Sequence, residues 1–95
     1  MQDDLFEWDD AKAEINWRDH GVAFHEAVRA FRDHFAVETI DGRENYEEER
    51  INLLGRCDGV LLHVTYTERG NRTRLISARK ADKHEQEYYY RENSF

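Results

Sequence analysis

The chain has 95 residues, a net charge of −7, one cysteine and no proline, and at this size about two thirds of the unfolded surface can be buried, which fits a single domain over residues 1–95. The lone Cys57 excludes an internal disulfide and makes a reducing, cytoplasmic setting the expectation. No apolar run approaches the roughly 18 residues of a membrane span, and MQDDLFEW lacks the charge and apolar length of a signal peptide.

Leu5, Phe6 and Trp8 predict a first strand ending at Asp9, an N-cap for a helix over about 10–19 that stops at His20-Gly21. Phe24, Ala27, Val28 and Phe31 recur at three- and four-residue spacing and predict a second helix over 24–33. FAVETI reads as a strand of about 35–40, and the polar DGRENYEEER as a loop. Strands at about 50–56, 60–67 and 72–79 form a meander through the tight turns Asp58-Gly59 and Gly70-Asn71. Asp82 caps a last helix of about 83–92. The fold class is α+β: two N-terminal helices and a C-terminal helix on a mainly antiparallel sheet of four to five strands.

Acidity opposes nucleic-acid binding, which depends on cationic side chains displacing counterions from phosphates. The charge is unevenly distributed, however. Residues 1–49 carry 15 acids against 5 bases, whereas residues 68–95 carry 7 bases against 5 acids, a division that can give one molecule two faces of opposite sign. Alternation along the strands sends Val60, Leu62, Val64 and Tyr66 inward with Ile51, Leu53, Ile76 and Ala78, and leaves Arg74 on the face of Ile76. The opposite face then collects Arg50, Asn52, His63, Thr65, Ser77 and Arg79. That face is polar, cationic and suited to a strand of RNA.

FEWD at 6–9, Lys12, Asn16, HGVAF at 20–24, YEEER at 46–50, DG at 58–59, YTERG at 66–70 and RLISARKA at 74–81 together resemble the BrnT family over nearly the whole chain. The resemblance implies a RelE-like ribonuclease fold and a toxin of a type II toxin-antitoxin pair. It further implies RNA cleavage that inhibits translation, and a BrnA-like ribbon-helix-helix antitoxin that assembles with the toxin and alone contacts operator DNA. The chain departs from the family at Asp19, where a basic residue is usual, and in its aromatic tail YYYREN.

Metal-independent RNA cleavage needs a group to hold the phosphate, one to take the 2′-OH proton and one to protonate the 5′-oxygen. Arg50 and Arg79, on separate strands of one face, are the first candidates for the phosphate, because a guanidinium fork stays ionised and donates two parallel hydrogen bonds; pairing with nearby carboxylates is their alternative role. Glu49 and His20 are the candidates for proton transfer, the alternatives being a solvated acid and a helix-dipole partner. Lys12, His63, Arg69, Arg74, Lys80 and Tyr89 are candidate RNA-binding residues, with Tyr89 either a base-stacking platform or an anchor for the last helix. The five histidines and Cys57 match no metal-binding spacing, so neither metal nor cofactor is expected. A second class of function, a non-catalytic binding module or an inactive toxin homologue, fits the same composition.

Overall fold

A computed structural model describes residues 5–40 and 48–94; most of the loop expected before the meander lies outside them. The described chain runs β1 (Phe6–Glu7), α1 (Asp10–His20), α2 (Phe24–Ala27), a 3₁₀ helix (Val28–Arg32), β2 (Val37–Ile40), β3 (Ile51–Cys57), β4 (Val60–Arg69), β5 (Arg72–Lys80) and α3 (Lys83–Asn93). The strands form one sheet in the order β1-β5-β4-β3-β2, antiparallel except where β1 lies parallel to β5. The α+β class is as the sequence indicates. One element differs: the second helix keeps α geometry for a single turn and then tightens.

Each boundary has a local cause. The Asp9 carboxylate accepts from the backbone N–H groups of Ala11 and Lys12 and starts α1, and Gly21 ends it at φ +68° with its N–H on the Trp17 carbonyl. Both residues of the β3–β4 turn, Asp58 and Gly59, have positive φ, whereas in the β4–β5 turn only Gly70 does. The two hairpins therefore use different two-residue turns, each matched to strand twist. Asp82 and Glu85 form a reciprocal capping box at the start of α3.

Both faces of the sheet are covered, but unequally. On one, Trp8, Val22, Phe24, Ala27, Val28 and Ala30 pack on Leu53, Leu62, Val64, Tyr66, Leu75 and Ala78. Phe31 joins Phe6 and Tyr66 there by edge-to-face contacts at 5.1 and 5.0 Å. Close approach of the 3₁₀ helix depends on Gly55, where a Cβ would lie 2.3 Å from the Ala30 carbonyl oxygen. On the other face a smaller cluster of Leu54, Leu61, Ala81 and Tyr89 seats α3. The face expected to be open is thus half-roofed by a helix.

Cross-strand register shows what remains under and beside that roof. Three rows run across the α3 face: Val37–Leu54–His63–Arg79, then Thr39–Asn52–Thr65–Ser77, then Thr67–Arg74–Glu7. The step from Thr65↔Ser77 to Tyr66↔Leu75 skips Ile76. This bulge reverses the inside-outside parity of β5, because one extra residue turns every later side chain to the opposite face. Leu75 takes the inward place that alternation assigns to Ile76, and Arg74 moves to the face of Thr67.

Candidate functional site

A cleft of about 280 Å³ opens between the first turns of α3 and the sheet, lined by Val37, Thr39, Asn52, Leu54, His63, His84, Glu85 and Tyr88. His63 and Arg79 are directly paired across β4 and β5. Glu85, from the helix above, links them. Its carboxylate receives both branches of the Arg79 guanidinium at 2.9 and 2.8 Å and lies 3.7 Å from His63 Nε2. The same carboxylate accepts from the Asp82 backbone N–H at 2.9 Å, so the cap that starts α3 also fixes the Arg79 fork.

These contacts set the protonation of the group. Burial disfavours the charged imidazole of His63 and the Arg79 cation adds to that effect; Glu85 opposes both without overcoming them, and the His63 pKa falls below its ordinary 6.5. Burial raises the Glu85 carboxyl, but hydrogen bonds from Arg79 and Asp82 outweigh it, leaving the carboxyl below the usual value of 4.5. At neutral pH the cluster is an uncharged imidazole beside an ionised arginine–glutamate pair. An uncharged imidazole can accept a proton.

The other expected residues fall into separate groups. Arg50 stands at the Thr67 end of the sheet, where Thr67 Oγ1 donates to the Glu49 carbonyl at 2.8 Å. This end is about 13 Å from the His63 row, four residues at roughly 3.3 Å each. Arg69 pairs with Glu48 and Arg74 with Glu7, each at 2.8 Å, and the Glu48 carboxyl is held low first by Arg69 and further by Arg50 and Arg74. Arg50, Arg69 and Arg74 therefore form one arginine group with two of its members ion-paired, and the Arg50 Nε is buried without a hydrogen-bond partner among the described residues. Alternation puts Arg50 on the face of Arg79, but at the Thr67 end of the sheet it is grouped with Arg74 instead of converging with Arg79.

Glu49 is exposed beside this group and does not line the cleft. His20 and Lys12 line a different cavity with Ile15, Asn16, Asp19, Ile76 and Ser77 at the edge of β5. Lys80 sits opposite Leu62 in register, on the face of α1 and α2. Tyr89 is an anchor: it is 1% exposed, and its hydroxyl donates to Asp33 Oδ2 at 2.6 Å. A ring so enclosed has no face left for a base. Sequence reasoning weighed the tyrosines at 88, 89 and 90 as stacking residues but did not single out His84 and Glu85, which line the cleft with Tyr88; the D-x-x-E capping pattern at 82–85 marked the helix start but not its place above His63.

The protein is thus an α+β fold with an arginine–glutamate–histidine cluster in a sheet-and-helix cleft and a second arginine group on the same face. Residues 8–85 match the family described as "Ribonuclease toxin, BrnT, of type II toxin-antitoxin system". The chain belongs to this family, and membership gives it an antitoxin as partner. No curated protein matches the sequence. No described helix is long and apolar enough to cross a membrane.

Proposed function

We propose that the protein is a metal-independent endoribonuclease whose reaction centre is the α3–sheet cleft. The observation that carries this reading is the cross-strand pair His63–Arg79 held together by Glu85. His63, uncharged at neutral pH, takes the 2′-OH proton as the oxygen attacks the adjacent phosphorus. Arg79 holds the phosphate and offsets the charge that grows on its oxygens. His84, which lines the same cleft from α3, returns a proton to the departing 5′-oxygen. Arg50, Arg69 and Arg74 bind the RNA backbone further along the same face. Proton transfer moves from the expected Glu49 and His20 to His63 and His84, because neither of the former lines the cleft.

In the cell this activity cuts RNA in the cytoplasm and inhibits translation until a ribbon-helix-helix antitoxin covers the face. Expression without a partner is the test. Wild type should halt growth and cleave RNA, in vitro also with EDTA present, and Arg79→Ala should do neither. Loss of one such charge-stabilising donor typically costs about 10²- to 10³-fold in rate. Ion pairing of Arg69, Arg74 and Arg79 with carboxylates supports a second reading, a binding module without catalysis. A harmless wild type that leaves RNA intact would favour it.

A further inference from the structure

The wall of the cleft next to β2 carries groups that cleavage itself does not use. Asn52 and Thr39 lie directly opposite each other on β3 and β2, which places their Cβ atoms about 5 Å apart. Both line the cleft. Thr65, only 5% exposed, donates its hydroxyl proton to Asn52 Oδ1 at 2.8 Å. That bond fixes the amide, with its carbonyl engaged and its NH₂ available as a donor. Apolar surface flanks the pair: Val37 and Leu54 form the next row of the floor, and Tyr88 stands above it on α3. The Tyr88 ring carries the Arg91 guanidinium at 5.5 Å from its centroid. At about 280 Å³ the cleft is slightly smaller than the roughly 300–1,000 Å³ of drug-sized sites, a volume suited to one base.

We propose that this wall is a recognition site for one unstacked guanine of the RNA, read by Asn52 and Thr39 and stacked against Tyr88. The assignment rests on the ribonuclease reading above. Guanine presents two adjacent acceptors, O6 to the Asn52 NH₂ and N7 to the Thr39 hydroxyl; adenine in the same seat sets its amino donor against the Asn52 NH₂, and relieving that requires the base to shift until N7 meets Asn52 and Thr39 turns to accept. Single-stranded RNA is commonly read in this way, by a splayed base stacked on an aromatic ring and hydrogen-bonded at its edge. The His63–Arg79 row lies one step away, about 7 Å along the strands. A guanine seated here brings its own phosphate to the reaction centre.

The test is digestion of a random-sequence RNA pool with wild type, Asn52→Ala and Thr39→Val, with every cut position sequenced. Wild type should show guanine enriched about tenfold at one position beside the cut, as good base contacts allow, and both variants should lose most of that enrichment. In parallel, guanosine 3′-monophosphate should shift the Asn52 side-chain amide resonances of the wild-type protein at concentrations about tenfold lower than adenosine 3′-monophosphate requires. Cleavage without guanine preference, or preference unchanged in both variants, would overturn the base site and leave the ribonuclease reading standing. A pool left intact by wild type overturns both.

Discussion

Asn16 shows how one side chain can hold a functional strand in place. β1 pairs with Thr73 and Arg74, so among the described residues the edge of β5 beyond them, at the level of the reaction centre, has no strand beside it. Asn16, 5% exposed, closes it. Its Nδ2 donates to the carbonyls of Ala78 and Val22 at 2.8 and 2.9 Å, and its Oδ1 accepts from the Ala78 N–H at 3.0 Å. One amide thus replaces a missing strand next to Arg79. Asn16→Ala should destabilise the protein by about 2–4 kcal/mol, because it strands buried backbone groups that each cost about 1–3 kcal/mol. Urea unfolding measures this directly, and a loss below about 0.5 kcal/mol would mean that water replaces the amide.

At the scale of elements, α3 and the β5 bulge together create the site. The bulge at Ile76 turns Arg74 onto the α3 face while leaving Ala78 in the core, and the capping box brings Glu85 down to Arg79. Asp82→Ala should cost about 1 kcal/mol through loss of the cap, and it should also loosen the Arg79 fork. RNA cleavage should therefore fall by more than the small loss in thermal midpoint explains. Unchanged cleavage in a destabilised Asp82→Ala protein would confine the capping box to a structural role. These two elements also mark the limit of what could be read from sequence. The meander of β3, β4 and β5, both tight turns and the Asp82 cap follow from local residue chemistry, whereas the parallel pairing of β1 with β5 does not. A bulge has no fixed local signature, and RLISAR satisfies two registers equally well until packing against β4 chooses Leu75 for the core. His63 was placed on the right face by alternation, but its partner Glu85 comes from an element whose packing no local pattern specifies.

Across the whole molecule, several titrations act in one direction. Burial raises the Asp33 carboxyl, but hydrogen bonds from Tyr89, Phe35 and Arg56 outweigh it and leave its pKa below 3.8, just as Glu85 is held below 4.5. Each contributes stability that is present above its unfolded value and lost as pH falls through its folded one. His63 is also depressed, below 6.5. The folded state resists its protonation, so stability begins to decline once pH drops below that unfolded value. Thermal midpoints measured across the acid range should fall in two stages, first below pH 6.5 and then below pH 4.5. His63→Gln should remove the first stage and keep the second.

The central claim, that His63 takes the proton in RNA cleavage beside Arg79, is tested most directly by the pH dependence of kcat/KM on a short RNA for wild type and His63→Gln. Wild type should show an acid limb with a midpoint below 6.5. In the variant that limb should vanish and the rate at neutral pH should fall by about 10²- to 10⁴-fold, the usual contribution of general acid–base catalysis. A His63→Gln protein that cleaves within a few-fold of wild type and keeps the same acid limb would contradict the account.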